Sequence, residues 1–574
     1  MDFTAAFRHA SAACICYSPG STFLASVSGD LPRTLLVRAS STLQVIRSWN
    51  LETNIDAIEW SKDGSFILVT TTDRQDNGVV YVVSLDPGKE ANDGSDEDQG
   101  WVARIASGSE GLVGATWTPL VGPRSVVMFS QHQLRASIYS LPDQTISAIE
   151  GPKRNKLIRT AKRPDRFAMI LKGADRDQIH IFKCERISAA EMRESAHVLK
   201  SEEQWQLDVS FALATNDCAD AAWSPDGLHI AVWEGQLEYK LLVYTPLGRL
   251  RSTFGAEALS GGEPSHRAPL DPSPATSSPH MGASQSGGAR LRSSAASSGS
   301  AGKARREDEA LMSVAGGGLG LREVRWHPSG KYLALGGYDE QLRILESQEW
   351  TETCSFDLSK RLIGGQGASE ATSAYGRLQA FREPLNWLEE THARGIAPFE
   401  MASLPLSPAA LRTDTEKPNP KLGISWMDWS PDGHLIASFN ERLPFTLFVH
   451  AFSSEEASAP SRPSLLSVLQ TNMPIKRVAW KPAHRGKFAV VCDTQALYTW
   501  ELLDDSCGDG SFTQRAEAIP IPTDDFRASD VRWSPDGQKI LIASDQTFCC
   551  AFETLDEPVY AAGLDDSNSQ NYSR

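Results

Sequence analysis

Short apolar runs separated by turn-forming residues recur along the whole chain. The clearest set lies at residues 221–254, where runs of three to five apolar residues are rich in β-branched and aromatic side chains, as antiparallel strands are. The first turn reads Ser-Pro-Asp-Gly at residues 224–227. Proline presets φ, aspartate bonds its own downstream backbone, and glycine accepts a positive φ. The stretch therefore predicts four strands that form one small sheet.

An aromatic residue followed by such a turn recurs at a regular spacing. Eight copies begin at Tyr17, Trp60, Trp117, Trp223, Trp326, Trp429, Trp480 and Trp533. A ninth, degenerate copy covers residues 160–166, before a strand-like run at 167–171. Close copies lie 43 to 57 residues apart, the period of a four-stranded propeller blade. A small sheet with two apolar faces needs neighbours of the same kind, so the pattern predicts an all-β propeller.

Ring size and closure follow less directly from the pattern. The number of copies fits about eight to nine units, either as one large ring or as an eight-bladed ring with a ragged ninth unit. A β-sandwich is the alternative fold, but its strands carry no fixed aromatic and turn period. Little chain remains after residue 552 for a fourth strand. We therefore expect residues 2–9 to complete the last blade.

Two long insertions interrupt the repeats. We assign residues 1–254 to blades one to five, 321–356 to blade six and 421–556 to blades seven to nine. Residues 255–320 are rich in Ser, Gly, Ala and Pro and predict a disordered insertion. Residues 357–420 keep apolar and aromatic side chains and predict a partly ordered insertion with a proline-broken edge strand at 399–406. Residues 557–574 predict a flexible tail.

Composition and charge narrow the functional classes. The formal net charge of −16 disfavours broad binding to nucleic acid or to anionic membranes, because both need a positive field. The sequence contains no run of about 18 apolar residues, so it predicts no transmembrane helix. The first residues lack the apolar core of a signal peptide. The nine cysteines show no zinc-ligand spacing. They fit free thiols in a reducing cytoplasm.

No motif for catalysis is present. The sequence has no G-x-S-x-G nucleophile elbow, no GK[ST] phosphate loop and no H-E-x-x-H metal motif. Paired aspartates such as Asp504 and Asp505 lie among turn-forming residues, which favours solvated turns over catalytic dyads. We therefore expect no enzyme activity, no cofactor and no metal.

A basic segment between the third and fourth copies is a candidate patch for an acidic partner. It contains Lys153, Arg154, Lys156, Arg159, Lys162, Arg163 and Arg166. An acidic tubulin tail or a phosphorylated protein would fit its charge. The alternative is a solvated strand edge, which charges protect from aggregation, and that alternative is favoured.

The chain resembles the WD-repeat-containing protein eight family, as a fungal-type member. The resemblance spans almost the whole chain, from Met-Asp-Phe-Thr-Ala-Ala-Phe at residues 1–7. Its most specific parts are residues 231–254 and 417–424, and residues 399–406 match the family's second insertion. Residues 86–100 and 255–318 depart from the family.

This resemblance implies a non-catalytic scaffold in the cytoplasm and cytoskeleton, at the centrosome or spindle pole body. The implied partner is a coiled-coil protein of the SSX-interacting type that anchors microtubule minus ends. A kinesin-14 motor and the γ-tubulin complex are further implied partners at the pole, where the assembly controls spindle length and orientation.

Two segments are candidates for the partner-binding surface. The better one contains Phe399, Glu400, Met401, Lys417, Pro418, Asn419, Pro420, Lys421 and Gly423. Replacement of residues 399–423 by a short linker is expected to abolish partner capture without lowering the melting temperature; the alternative is a segment that only covers its own propeller. The other candidate is Leu237, Glu238, Tyr239 and Lys240, for which packing of a β-turn is the favoured alternative.

Other functional classes stay open from the sequence. Some translation-initiation propellers also repeat Trp-Ser-Pro-Asp-Gly, although they usually carry basic tails, whereas this chain ends in an acidic and polar segment. A propeller accessory to a peptidase is disfavoured because the nucleophile is missing.

Overall fold

The computed structural model describes most of the chain. The described residues are 1–72, 78–85, 101–120, 125–142, 144–186, 203–255, 320–359, 363, 375–391, 395–411, 422–452, 463–504 and 512–553. The predicted disordered insertion and the predicted tail therefore lie almost wholly outside the described residues. None of the helices within these ranges is both long and apolar enough to cross a lipid bilayer.

The first half of the chain forms five small sheets after two short N-terminal strands. The N-terminal strands are β1 (Asp2–Phe3) and β2 (Phe7–Arg8). Blade one contains β3 (Ile15–Tyr17), β4 (Phe23–Val27), β5 (Thr34–Ala39) and β6 (Val45–Asn50). Blade two contains β7 (Ala57–Trp60), β8 (Phe66–Thr71), β9 (Val79–Ser84) and β10 (Trp101–Ala106). Blade three contains β11 (Leu112–Trp117), β12 (Ser125–Ser130), β13 (Arg135–Ser140) and β14 (Thr145–Glu150). Blade four contains β15 (Arg166–Leu171), β16 (Gln178–Arg186) and β17 (Glu203–Ala212). Blade five contains β18 (Cys218–Trp223), β19 (Ile230–Glu234), β20 (Lys240–Tyr244) and β21 (Leu250–Gly255).

The second half forms four more blades and one inserted unit. Blade six contains β22 (Leu321–Trp326), β23 (Tyr332–Gly337), β24 (Gln341–Glu346) and β25 (Glu352–Asp357). The insertion contains β26 (Gln379–Arg382), the helix α1 (Trp387–Glu390), β27 (Ala397–Pro398) and β28 (Glu400–Met401). Blade seven contains β29 (Ile424–Trp429), β30 (Leu435–Asn440), β31 (Thr446–Ala451) and β32 (Ser464–Gln470). Blade eight contains β33 (Arg477–Trp480), β34 (Lys487–Val491), β35 (Ala496–Asp504) and β36 (Phe512–Pro520). Blade nine contains β37 (Asp530–Trp533), β38 (Lys539–Ala543) and β39 (Thr547–Phe552).

The described strands thus form nine antiparallel blades, so the nine-unit ring is correct and the eight-bladed alternative is wrong. The degenerate copy is blade four. Its inner segment is not a regular strand, and only bridges from Pro152 to Leu171 and from Ile158 to Ala168 tie it to β15. Two short 3₁₀ turns, Ala12–Cys14 and Gln131–Gln133, complete the helical elements of the described residues.

The N-terminal segment closes the ring, as the sequence predicts. Strands β1 and β2 both pair antiparallel with β39, with Asp2 opposite Phe552 and Phe7 opposite Phe548. The two ends of the described chain therefore share one blade.

The Ser-Pro-Asp-Gly turn is held by its own side chains. In blade five the Ser224 hydroxyl donates to the Asp226 carboxylate, which also accepts the Leu228 N–H at 2.9 Å. The Ser224 Oγ accepts the His229 N–H at 2.9 Å, and Gly227 has φ of 77°. Ser61, Ser430 and Ser534 repeat this arrangement with Asp63, Asp432 and Asp536. Burial raises the pKa of Asp63, but the Ser61 hydroxyl and the Ser65 N–H more than offset it, so the pKa lies below its usual value.

The repeat tryptophans fasten each blade to the one before it. In six of them the indole N–H donates to the backbone carbonyl of the residue just before the repeat aromatic of the preceding blade. These bonds run from Trp60 to Cys16, Trp117 to Glu59, Trp326 to Ala222, Trp429 to Arg325, Trp480 to Asp428 and Trp533 to Ala479. The regularly spaced aromatic residues therefore determine contacts between neighbouring blades as well as the fold of each blade.

The exception is Trp223, which follows the degenerate blade. Its indole nitrogen is buried without a hydrogen-bond partner among the described residues. Thr160 occupies the aromatic position of blade four, and its hydroxyl donates to the Ser224 carbonyl at 3.0 Å. Arg159 binds the Trp117 carbonyl of blade three at 2.7 Å. Both substitute contacts keep the degenerate blade in the ring.

This exception provides a matched test of the interblade bond. Trp117→Phe removes an indole N–H that donates at 3.1 Å and leaves the Glu59 carbonyl without that donor. Trp223→Phe removes an N–H that has no acceptor. Both side chains are buried, so the loss of apolar contact is similar. We expect Trp117→Phe to lower the free energy of unfolding by about 1–2 kcal/mol more than Trp223→Phe. Urea denaturation of the two variants measures this difference, and equal losses would refute the role of the bond.

Candidate interaction surfaces

The second insertion joins the outer edges of blades seven and eight. Strand β26 pairs parallel with β32, the outer strand of blade seven, and β27 pairs antiparallel with β36, the outer strand of blade eight. The chain then returns to blade seven, where β28 pairs with β26. The predicted edge strand at 399–406 is therefore confirmed for Glu400–Met401.

Phe399 lies at the crossing point between the two blades. Its N–H donates to the Ala516 carbonyl at 2.9 Å, and its ring meets Tyr498 edge-on at 6.0 Å between centroids. The side chain is buried in a cluster that includes Trp387 and Trp500. Phe399 thus packs within the propeller, whereas Glu400 and Met401 are exposed.

A buried carboxylate fixes the insertion to the ring. Glu383 follows β26 and is only 3% exposed. Its Oε1 accepts the Trp387 indole N–H and the Tyr498 hydroxyl, both at 2.8 Å. Its Oε2 accepts the Asn472 N–H at 2.6 Å. Burial, reinforced by the adjacent Glu383 carboxylate, raises the pKa of Tyr498, so this hydroxyl keeps its proton and donates.

This packing corrects one expectation. Replacement of residues 399–423 would remove Phe399 from a buried cluster, so it cannot leave the melting temperature unchanged. Of the other candidates in this segment, Lys417, Pro418, Asn419, Pro420 and Lys421 lie outside the described residues. Gly423 precedes β29, and a Cβ there would lie 2.9 Å from the Gly337 carbonyl oxygen. Close packing between blades six and seven explains that glycine.

The Leu237–Lys240 candidate covers the turn between β19 and β20 together with the first residue of β20. Tyr239 is buried, and its hydroxyl accepts a hydrogen bond from Arg343 of blade six at 2.8 Å. The Lys240 ammonium lies 3.7 Å from Glu238 and 3.8 Å from Glu234. Leu237 is 84% exposed. The turn therefore holds blades five and six together through Tyr239 and leaves Leu237 free for contact.

The basic segment is largely matched by acidic residues of this chain. Lys153 contacts Asp177 at 2.6 Å and Asp217 at 2.5 Å, and Lys156 contacts Asp220 at 2.8 Å. Further partners are Asp208 for Arg166, the Ala219 carbonyl for Arg154, and Thr116 and the Trp117 carbonyl for Arg159. Lys162 and Arg163 are exposed. Burial lowers the pKa of Arg159, against the opposing charge of Glu59.

A cavity of about 400 Å³ lies where this segment meets the inner strands of blades five and six. Lys153 and Lys156 line it together with Asp217 and Asp220, and Arg325 of its wall contacts Glu323 at 2.7 Å. The charges of the wall are thus largely paired with one another. This arrangement stabilises the junction of three blades, and two further carboxylates, Asp177 and Glu441, contact Lys153 and Arg322 from outside the wall.

The described residues hold no group of three or more His, Cys, Asp or Glu side chains that could bind a metal ion. Their eight cysteines are free thiols. Burial raises the pKa of Cys16 and of Cys354 to about 12, so these thiols are poor nucleophiles at neutral pH.

Sequence reasoning missed Glu383 and Tyr498, the residues that attach the insertion. The two residues are more than one hundred positions apart, and no local pattern marks their contact. The one local signal is the spacing of Glu383 and Trp387, which are four residues apart across a turn.

Fold and surfaces together define a WD-repeat type of β-propeller that displays loops and edge strands on a closed ring. Mouse WD repeat-containing protein WRAP73 is 24% identical over 570 residues, and the match covers 98% of each chain. The chain is thus similar to a WD-repeat protein along almost its whole length, which supports the resemblance inferred from the sequence. No protein-family model matches the chain.

Three solved propellers match most of the chain at low sequence identity. The β-propeller domain of Cps50 (Swd1) from Myceliophteria thermophila is 10% identical with a TM-score of 0.33, and the match covers 96% of this chain and 99% of that chain. The C-terminal WD40 domain of Sif2 is 8% identical with a TM-score of 0.41, covering 96% and 98%. Sqt1 from Chaetomium thermophilum is 13% identical with a TM-score of 0.41, covering 87% and 96%.

Proposed function

We propose that this chain is a non-catalytic scaffold at the microtubule-organising centre, where it holds microtubule minus ends with a coiled-coil anchoring partner. The observation that carries the proposal is the match to WRAP73 over 98% of both chains. A match of that extent spans the nine blades and the second insertion, and the sequence resembles a family with this role. A closed ring of nine blades suits the role because it presents fixed surfaces without moving parts.

The first test is the position of the protein in dividing cells. A fluorescent fusion expressed at native level is expected to form paired foci at the spindle poles, together with a γ-tubulin marker. A diffuse cytoplasmic signal, together with sedimentation of the fusion protein with ribosomal subunits, would overturn the proposal in favour of the translation-factor alternative.

We place the partner surface on the exposed outer edge of the insertion, at Glu400 and Met401. Strand β28 is the outermost strand of the blade seven sheet, and Met401 is 63% exposed beside it. A coiled-coil helix can lay an apolar stripe on such a surface. A kinesin-14 motor and the γ-tubulin complex would join through that partner.

Met401→Asp tests this surface without disturbing Phe399. The variant is expected to lose at least ten-fold in affinity for the recombinant coiled-coil partner, because an apolar contact becomes a charge, while the melting temperature stays unchanged. Leu31→Asp is the matched control, since Leu31 is 61% exposed on blade one and belongs to neither candidate surface. Equal affinities of the two variants in a pull-down titration would exclude the β28 surface.

A further inference from the structure

The outer strand of each blade presents a potential pairing edge. Such a strand has a row of backbone N–H and C=O groups that no neighbour in its own sheet satisfies. Long, flat, uncharged edges pair readily with other chains, and proteins block them with charges, bulges, short strands or a covering segment. The nine blades of this ring differ in how their outer strands are protected.

Five blades have outer strands with both a bulge and a charged residue. The bulges appear as register shifts in the pairing of β6, β10, β17, β21 and β25 with their neighbours. The charged residues in these strands include Arg47, Arg104, Asp208, Arg251 and Glu352. A bulge twists the strand and a charge resists desolvation, so these five edges are protected.

Three other blades are protected in different ways. In blade seven β26 covers the outer strand β32, and in blade eight β27 covers part of β36. In blade nine the outer position is taken by β1 and β2, which are two residues long each. Short and covered edges offer few unpaired backbone N–H and C=O groups to another chain.

Among the described residues, blade three alone has an outer strand with neither a bulge nor a covering strand, and its single charged residue is Glu150 at the end of that strand. Strand β14 pairs with β13 through six consecutive residues without a register shift, and no described strand lies on its other side. Residues 145–149 read Thr-Ile-Ser-Ala-Ile and carry no charge. Only Ile149 is buried, whereas Ile146 is 58% exposed.

We propose that β14 is a docking edge to which an extended segment of another protein adds as a fifth strand of blade three. Recognition would come from backbone hydrogen bonds to β14, with uncharged, preferably β-branched side chains against Ile146. Two blades of this same ring show that an outer strand accepts an added strand, parallel on β32 and antiparallel on β36. The proposal does not depend on the cellular site proposed above.

The charge of the molecule argues against a second copy of this chain as the occupant. Each copy carries a formal net charge of −16, so edge-to-edge dimers would bring two strongly acidic bodies together. An extended segment of a different, less acidic protein meets no such repulsion.

A model strand tests the edge directly on the full-length protein. The probe is a fluorescein-labelled peptide with the sequence Lys-Lys-Thr-Val-Thr-Val-Thr-Val-Lys-Lys, titrated by fluorescence anisotropy in about 0.15 M salt to limit non-specific attraction. A second probe has the same sequence with N-methyl groups on alternate residues, which removes backbone donors at unchanged charge. The variants are Ile146→Lys and, as control, Ile46→Lys on the bulged, Arg47-containing edge of blade one, where Ile46 is 50% exposed.

We expect Ile146→Lys to weaken binding of the first peptide at least ten-fold and Ile46→Lys to change it less than two-fold. The N-methylated peptide should bind at least ten-fold more weakly than the first, and hydrogen–deuterium exchange should slow at residues 145–150 when the first peptide is bound. The proposal is overturned if the native protein fails to bind at about 1 mM peptide, if both variants behave alike, or if N-methylation has no effect. Dimers in sedimentation velocity that Ile146→Lys abolishes would overturn it in favour of a second copy.

Discussion

Deletion of residues 1–9 is expected to lower the melting temperature more than any single substitution in this chain. The deletion removes β1 and β2 from β39 and with them the closure of the ring. Met1 and Phe3 pack on the core between blades eight and nine, and Phe7 packs on the core between blades nine and one. These three side chains are partly buried and contribute roughly 1 kcal/mol each. The deletion also leaves β39 as an open edge.

The deletion is measured by differential scanning calorimetry against the full-length protein. A synthetic peptide of residues 1–10, added in excess, should restore part of the lost melting temperature because it can occupy the same position on β39. A scrambled peptide of the same composition is the control. An unchanged melting temperature of the truncated chain would show that the N-terminal strands do not close the ring.

Glu383→Ala is expected to be among the most destabilising single substitutions. The change leaves the Trp387 indole N–H, the Tyr498 hydroxyl and the Asn472 N–H without their shared acceptor. Trp387 and Tyr498 are buried, and each unsatisfied buried donor costs about 1–3 kcal/mol. We expect a total loss of about 3–5 kcal/mol, because the three contributions are not additive.

Urea denaturation measures the loss in free energy of unfolding, and limited proteolysis measures how fast the insertion is cleaved. Glu383→Ala should also speed cleavage within the insertion, since Glu383 attaches that segment to blade eight through Tyr498. Glu390→Ala, at an exposed position of α1, is the control and should change neither quantity. Tyr498→Phe should give a smaller loss, because it removes one donor and leaves the carboxylate with two. Indistinguishable stabilities of Glu383→Ala and Glu390→Ala would exclude the carboxylate as an anchor.

The sequence predicts the blades because each blade is a local unit. The aromatic residue, the turn and the short strands follow one another within about fifty residues, so their periodicity is visible without any structure. Closure by residues 2–9 was also predictable, since the last repeat lacks a fourth strand. The contacts of Trp60 and its equivalents repeat with the same period, although the acceptor of each indole becomes evident only in the assembled ring.

Contacts between distant segments were not predictable in this way. The acidic residues that match the basic segment, such as Asp177 and Asp217, lie in other strands, so the segment looks like an excess of positive charge in the sequence alone. The bridge from blade eight to blade seven at Phe399 depends on strand pairing across more than one hundred residues. The edge at β14 stands out only when the pairing of all the outer strands is known, because its distinguishing features are the lack of a bulge and of a covering strand among the described residues. Its uncharged run at residues 145–149 is visible in the sequence.

Nine like-built sheets close into one ring that includes the N-terminal strands. A cryo-electron microscopy map of the purified 62.6 kDa chain tests this arrangement most directly. The account predicts nine radial sheets around one axis, with residues 2–8 as the outer strands of the ninth. A map with eight sheets, with separate lobes, or with the first residues away from β39 would contradict it.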